Sequence, residues 1–175
     1  MNIKNQISYR KLVIKTHPND YNNIVQFLKT KKRINVIGPP GSGKTTFSEK
    51  ISNELQIKLL KLDDILFDSN CNLIKNKKEV LLKNLVTETP CVMDGTYHSL
   101  FCKDRIELVD QFVMIKINFF RTFLRIIKRS IKKKELACGE KLTFKLMRFL
   151  FTYYLYKQNS LKKIIPKNKL LIYKI

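Results

Sequence analysis

The stretch RINVIGPPGSGKTTF, residues 33–47, decides the fold of this chain. An apolar run leads into Gly38, and the eight residues GPPGSGKT (38–45) match the pattern G-x-x-x-x-G-K-[ST] in full. Apolar residues then recur at helical spacing from Phe47 to Leu55. The stretch therefore predicts a strand, a glycine-rich turn and a helix in direct succession.

A turn of this kind is suited to phosphate groups. Glycines adopt backbone conformations that other residues resist, so that successive N–H groups converge on phosphate oxygens, and the following helix adds its positive N-terminal end. In this motif the lysine, Lys44, reaches the β- and γ-phosphates of a nucleotide, and the Thr45 hydroxyl ligates Mg²⁺. The candidate nucleotide-binding residues are Gly38, Pro39, Pro40, Gly41, Ser42, Gly43, Lys44, Thr45 and Thr46. The alternative is a glycine-rich turn that binds nothing.

Strand and helix patterns alternate along the chain. We predict strands at 7–16, 33–38, 57–62, 91–94, 112–117 and 169–175, and helices at 20–32, 45–56, 78–88, 119–134 and 140–159. Alternation of this kind predicts an α/β domain with a parallel sheet and crossover helices. We expect residues 33–175 to form this domain and residues 1–32 to be an N-terminal extension packed on or beside it.

Charge is distributed unevenly along the chain. The 175 residues are 44% hydrophobic and carry a formal net charge of +21. Residues 111–175 hold 17 of the 35 basic residues but only two of the 14 acidic ones, Glu135 and Glu140. A positive field of this kind attracts polyanions, whether nucleotides, nucleic acid or anionic lipid. The enrichment in Lys, Ile and Asn is also typical of an AT-rich coding sequence, so the lysine excess need not reflect function.

Cysteine usage and hydropathy indicate the cellular compartment. The four cysteines have no metal-ligand spacing: Cys71, Cys91, Cys102 and Cys138. We expect free thiols in a reducing compartment. The first residues lack a signal-peptide pattern, and the apolar run 146–156 is too short to span a bilayer and contains Arg148. These features predict a soluble, cytoplasmic protein without a membrane segment, and they leave its oligomeric state open.

Acidic residues end two of the predicted strands. In a sheet that carries such a turn, Asp94 would lie beside it and hold Mg²⁺, often through water. Asp63 and Asp64 stand at the carboxyl end of another strand, where open α/β sheets bind ligands. Asp63 is the better candidate to accept a proton or to hold a substrate, and Asp64 could equally cap the next segment. The alternative is that these acids only form turns.

Arginines recur every four residues on the predicted helix 119–134, at Arg121, Arg125 and Arg129. Guanidinium groups stabilise the negative charge of a phosphoryl group in transfer, so this stripe favours a lid that closes over phosphates. A solvated basic face and a nucleic-acid patch, extended by residues 132–134, are the alternatives.

Aromatic and basic residues are mixed in the stretch 144–157. Such a stretch can stack on the bases of a single strand. More often it forms core on one side, with tyrosines at the boundary, and we favour that interpretation.

The order of these motifs resembles the DNA topology modulation protein family, a group of small P-loop kinase-like proteins related to the adenylate kinases. The resemblance covers about residues 33–165. It rests on LDDILF (62–67), on VMDGTY (92–97), on Arg105 upstream of Asp110, and on the arginine-bearing helix.

This resemblance implies a three-layer P-loop fold with a five-stranded parallel sheet of order 2-3-1-4-5 and a helical lid at about 119–160. It implies ATP and Mg²⁺ as cofactors, and phosphoryl transfer to a small acceptor such as a nucleotide, nucleoside or other hydroxyl compound. The residues implied are Lys44, Asp63, Arg125 and Arg129 for catalysis, Asp63, Asp64, Tyr97, Arg105 and Arg121 for the acceptor, and Thr45 and Asp94 for the metal.

Two other functions are compatible with the sequence. A weaker similarity to polynucleotide 5′-kinases and toxin-type kinases, together with the basic C-terminal third, suggests a polynucleotide 5′-hydroxyl kinase or an ATP-regulated DNA or RNA binder. The third possibility is a module that binds nucleotide without catalysis.

Overall fold

The chain is represented by a computed structural model that describes residues 15–16, 21–68, 70, 72–131 and 144–175, with side chains described at 21–68, 70, 72–128 and 146–175. The part of the predicted strand at 7–14, the basic run 132–134, Cys71 and Cys138 lie outside these residues. Cys91 and Cys102 carry free thiols.

Six parallel strands form one sheet in the described part of the chain. They are β1 (Lys15–Thr16), β2 (Arg33–Ile37), β3 (Lys58–Lys61), β4 (Cys91–Asp94), β5 (Gln111–Lys116) and β6 (Leu170–Lys174). Their order across the sheet is β1-β6-β5-β2-β4-β3. The strands from β2 onward thus have the predicted order 2-3-1-4-5, which is confirmed, and the two-residue β1 is added beside β6.

Helices connect and cover these strands. They are α1 (Tyr21–Leu28), α2 (Lys44–Leu55), α3 (Leu62–Leu66), α4 (Lys77–Thr87), α5 (Lys103–Leu108), α6 (Phe119–Ile131), α7 (Phe144–Thr152) and α8 (Gln158–Ile164), with one π-helical turn (Tyr153–Lys157) joining α7 to α8. The predicted helices are present, but α3 and α5 were not predicted, because a periodic pattern cannot show itself in five or six residues. None of the helices in the described residues is long and apolar enough to cross a membrane.

The sheet is buried on both faces, which makes the three layers. On one face Val36 of β2 packs with Ile51 of α2, in a cluster that α1 also joins. On the other face Ile37 belongs to a cluster that includes Leu81 of α4 and Leu161 of α8. Because both faces of the sheet are covered, its strands are mostly apolar and lack the alternation of apolar and polar residues that a half-exposed strand shows.

A smaller cluster joins α6 to α7 through Ile126, Leu146 and Leu150. In the aromatic stretch 144–157, Tyr153 is buried, whereas Tyr156 is 70% exposed. The interpretation of this stretch as core on one side is therefore confirmed for that side.

Asp110 joins the beginnings of the two central strands β2 and β5. Its Oδ2 accepts hydrogen bonds from the backbone N–H groups of Lys32 and Arg33, both at 2.9 Å. One carboxylate thereby fixes the entry of β2 against β5.

Replacing Asp110 tests this contact. Asp110→Ala is expected to lower the free energy of unfolding by about 1–2 kcal/mol, because two N–H groups lose their acceptor. Asp110→Asn keeps an acceptor oxygen and is expected to recover most of the loss. Urea denaturation measures both variants, with Asp104→Ala as control, since the exposed ion pair of Asp104 with Lys78 contributes about 0–1 kcal/mol. Equal effects of Asp110→Ala and Asp104→Ala would contradict the assignment.

Candidate functional site

The glycine loop, residues 38–45, joins the end of β2 to the start of α2 at Lys44. Gly41 and Gly43 have φ angles of +71° and +88°, in the left-handed region that favours glycine. Pro39 and Ser42 are buried within the loop, whereas Thr46 is exposed on the first turn of α2. The local structure is therefore the strand, turn and helix that the sequence predicts.

Helix α6 packs directly against the glycine loop. A Cβ added to Gly41 would lie 3.0 Å from Cγ1 of Ile126 and 3.2 Å from the carbonyl oxygen of Thr122, both on α6. Glycine is thus required at this position by contact as well as by conformation. The helix that carries the arginine stripe consequently lies beside the loop.

The Lys44 side chain folds back across the glycine loop. Its Nζ donates a hydrogen bond to the carbonyl oxygen of Pro39 at 3.0 Å, and the Ser42 N–H donates to the same oxygen at 3.2 Å. The ammonium group is therefore held within the loop.

Asp94 ends β4 and contacts the start of α2. The Thr45 hydroxyl donates to Asp94 Oδ2 at 2.6 Å. Asp94 is only 8% exposed, and its second oxygen, Oδ1, has no hydrogen-bond partner among the described residues. A buried carboxylate oxygen without a donor, beside a threonine hydroxyl, is a donor set that fits a divalent cation with oxygen ligands.

Burial raises the pKa of Asp94, because an ionised carboxylate loses hydration there. The hydrogen bond from Thr45 and the positive charges of Lys44 and Lys61 act in the opposite direction, whereas the negative charge of Asp63 raises this pKa further. These side chains therefore share one electrostatic neighbourhood at the carboxyl end of the sheet.

Asp63 and Asp64 lie in the first turn of α3, directly after β3, and both are exposed. Asp63 Oδ1 accepts a hydrogen bond from the Tyr97 hydroxyl at 2.5 Å. Tyr97 has a φ of +38°, which is uncommon for a bulky residue and costs on the order of 1–3 kcal/mol. The structure thus brings two of the predicted acceptor residues together.

The arginine stripe reaches the glycine loop through Arg125. Its Nη1 lies 3.5 Å from the carbonyl oxygen of Ser42, to which it donates. Arg121, one turn earlier on α6, is exposed. Arg129 belongs to α6, but its side chain lies outside the described residues.

Arg105 does not lie where the sequence predicted. We expected it to contact an acceptor, but it is 0% exposed and lies beneath residues 95–97. The reason is that α5 turns this side chain toward β2, where Asn35 accepts its hydrogen bond. Burial lowers the pKa of Arg105 to about 9, so the group is still protonated at pH 7. We therefore place Arg105 among the residues that support the site.

Two side chains of the site were missed from the sequence, Thr96 and Asn35. The Thr96 hydroxyl accepts from the Gly38 N–H at 3.0 Å and donates to the Gly38 carbonyl at 2.8 Å. Thr96 stands within the motif VMDGTY (92–97), but the motif assigned it no role, because its partner Gly38 is distant in the sequence. Asn35 did leave a signal, since a polar residue within the apolar strand RINVI must find a hydrogen-bond partner when buried.

The raised pKa of Asp94 predicts how the stability of the protein depends on pH. A group whose pKa is raised by folding stabilises the protein below its ordinary value of 3.8, and this contribution is lost as the pH rises through the raised value. Asp94→Asn removes the buried charge and keeps an acceptor for Thr45, so we expect the ligand-free variant to be more stable than the native protein at pH 7.

Urea denaturation at a series of pH values measures this difference, which should disappear below the ordinary pKa. Asp104→Asn, at an exposed aspartate, is the control. A variant that is less stable than the native protein at pH 7 would contradict the prediction.

Three solved structures are similar in fold to this chain. The shikimate kinase from Acinetobacter baumannii, in complex with shikimate, has a TM-score of 0.56 at 16% sequence identity, and 86% of each chain is covered. The shikimate kinase from Bacteroides thetaiotaomicron has a TM-score of 0.56 at 16% identity, covering 82% of this chain and 86% of that one. A gluconokinase from Sinorhizobium meliloti has a TM-score of 0.52 at 15% identity, covering 82% of both chains.

No protein-family model matches the chain, and no curated protein matches it. At these identities the similarity concerns the fold alone. The chain therefore has a P-loop kinase-like fold with a five-stranded parallel sheet of order 2-3-1-4-5, extended by β1.

Proposed function

We propose that this protein is a kinase that transfers the γ-phosphoryl group of ATP, with Mg²⁺, to a hydroxyl group of a small acceptor. The observation that carries the proposal is the meeting of three features at one edge of the sheet. These are the glycine loop, the Thr45–Asp94 pair, and the exposed carboxylate of Asp63 close enough to raise the pKa of Asp94. The first two suit a nucleotide and its metal, and the third suits an acceptor.

Thr45 and Asp94 are the residues that would hold Mg²⁺. This ion usually takes one or two protein ligands together with phosphate oxygens and water, so two side chains suffice. When bound, it neutralises charge on the β- and γ-phosphates. Asp94 meets this need because its Oδ2 already contacts Thr45 and its Oδ1 has no hydrogen-bond partner among the described residues.

Lys44 and Arg125 would hold the transferring phosphoryl group. Both are already positioned at the glycine loop, where Lys44 contacts Pro39 and Arg125 contacts Ser42. Donors fixed in advance stabilise developing negative charge with little reorganisation. Arg121 and Arg129 complete the stripe that we propose as a lid, in the region of about 119–160.

Asp63 would orient the acceptor. Its carboxylate accepts the hydrogen bond of the attacking hydroxyl and takes up the proton as the new O–P bond forms and the bond from the γ-phosphorus to the bridging oxygen breaks, leaving ADP. Tyr97 donates to Oδ1 of Asp63, which orients the carboxylate and leaves Oδ2 for the acceptor. Asp64 lies next to it on the exposed side of α3.

The similarity to shikimate kinases and to a gluconokinase supports a small hydroxyl compound as the acceptor. Nucleosides and nucleotides belong to the same chemical class. The assignment to the DNA topology modulation family and the location in the cytoplasm are further proposals, which rest on the sequence.

Acceptor-dependent release of ADP tests the function. We expect Mg²⁺-dependent ADP release to rise with one member of a panel of nucleosides, nucleoside monophosphates, sugars, other small hydroxyl compounds and 5′-hydroxyl oligonucleotides. Lys44→Ala and Asp63→Asn should each reduce it by about 10²–10³-fold, since each removes a group that acts in the transition state. Lys83→Ala, at an exposed position on α4, is the matched control.

The panel also separates the alternatives. A rise with oligonucleotides alone would assign the protein to nucleic-acid 5′ ends. Binding of ATP without any acceptor effect would contradict the kinase proposal and leave a nucleotide-binding module.

Arg125 provides a second test of the proposed mechanism. Arg125→Ala is expected to lower kcat by about 10²-fold, because one donor to the transferring group is lost. The stability of the ligand-free protein should change little, since Arg125 is exposed. Steady-state kinetics measures the effect beside Arg148→Ala, an exposed arginine on α7. An unchanged kcat for Arg125→Ala would remove this residue from the mechanism.

A further inference from the structure

Arg105 is a buried cation that is held by neutral groups. In the described part of the chain no carboxylate forms an ion pair with it. Its Nη2 donates to Asn35 Oδ1 at 2.7 Å, and its guanidinium carbon lies 4.3 Å from the centre of the Phe101 ring. A buried charge without an ion partner is costly unless its hydrogen-bonding groups are well satisfied, so this arrangement calls for an explanation.

Two further hydrogen bonds of Arg105 go to the loop that follows β4, and a longer one goes from Nη2 to Met93 Sδ at 3.7 Å, whereas Nε has no partner among the described residues. Nη2 also donates to the carbonyl oxygen of Gly95 at 3.2 Å, and Nη1 donates to the carbonyl oxygen of Thr96 at 3.2 Å. Asn35 Nδ2 donates to the same Gly95 oxygen at 3.2 Å and to that of Met93 at 3.0 Å. One guanidinium therefore holds two successive peptide groups, through the carbonyl oxygens of Gly95 and Thr96.

The loop fixed in this way contacts both halves of the proposed site. Thr96 forms its two hydrogen bonds with Gly38, the first residue of the glycine loop. The next residue, Tyr97, donates to Asp63. Since the Thr96 carbonyl belongs to the peptide group between these two residues, the contact from Arg105 lies at the point where they diverge.

We propose that Arg105 is a positioning residue that sets the glycine loop and the Asp63 carboxylate together, through the backbone of residues 95–97. It touches neither nucleotide nor acceptor. It holds the loop so that the Thr96 hydroxyl meets Gly38 while the Tyr97 hydroxyl meets Asp63. This inference rests on the proposed function, but its first readout, nucleotide affinity, requires no phosphoryl transfer.

A double-mutant cycle in the affinity for Mg·ATP tests the proposal. Arg105→Lys keeps the charge but loses the forked contact to two carbonyls, and Thr96→Val loses both hydrogen bonds to Gly38. Each is expected to weaken the affinity about tenfold. Because both act through one loop, the double variant should also lose about tenfold, far short of the roughly hundredfold product of independent effects.

The controls separate positioning from general destabilisation. Thr96→Ser keeps the hydroxyl and should restore the affinity, whereas Thr87→Val, on the exposed side of α4, should leave it unchanged and combine independently with Arg105→Lys. A purely structural role would lower the unfolding temperature without changing the affinity of the folded protein. Independent effects of Arg105→Lys and Thr96→Val would overturn the proposal.

Two further measurements keep the test decisive. If Arg105→Lys does not fold, Phe101→Leu takes its place in the cycle, since it removes the ring beneath the guanidinium. Hydrogen exchange of the Gly38 amide, followed by NMR without any ligand, should accelerate in Arg105→Lys as it does in Thr96→Val, and unchanged exchange would refute the proposal. Native protein that binds Mg·ATP but transfers no phosphoryl group would refute the proposed function alone.

Discussion

The register of the three strands β2, β3 and β4 is the constraint on which the site depends. Val36 and Lys61 both pair with Asp94, so the chain leaves these three strands at one level. The glycine loop, α3 and residues 95–97 begin there, which is why residues distant in the sequence meet. A shift of β4 by one residue would turn the Asp94 carboxylate to the other face of the sheet, out of reach of Thr45.

The distribution of charge follows from this arrangement. Two ionisable side chains of this region are buried, Asp94 and Arg105, and no ion pair between them is present among the described residues. Asn35 and two backbone carbonyls accept hydrogen bonds from the two terminal nitrogens of Arg105 instead, while its Nε has no partner among the described residues. A guanidinium bound to Asp94 would compete with a metal ion for the same oxygens, so holding Arg105 with neutral groups leaves the carboxylate available. The positive charge of Arg125 lies beside the glycine loop, on α6, where its Nη1 contacts the Ser42 carbonyl oxygen.

Much of the fold and part of the candidate site could be predicted from local sequence. The strand ending at Asp94 and the turn at 38–45 were predictable because each is a continuous segment with its own pattern. The burial of Arg105 was not, since it depends on Asn35, which is far away in the chain and next to it in space. The short helix α3 was missed for a different reason. A helix of five residues spans less than two turns and shows no periodic pattern. Asp63 was therefore expected at the end of a strand, whereas it lies in a helix.

The two ends of the sheet order show how its borders are protected. On one side β1 pairs with Ile172 and Tyr173 of β6, so that part of the backbone of β6 is already engaged on its outer side. On the other side β3 is only four residues long and carries a lysine at each end, Lys58 and Lys61, bound to Glu88 and Glu49. Short, charged or covered borders discourage strands of another molecule from adding to a sheet. In a chain this rich in Ile, such borders counter self-association of its apolar strands into aggregates.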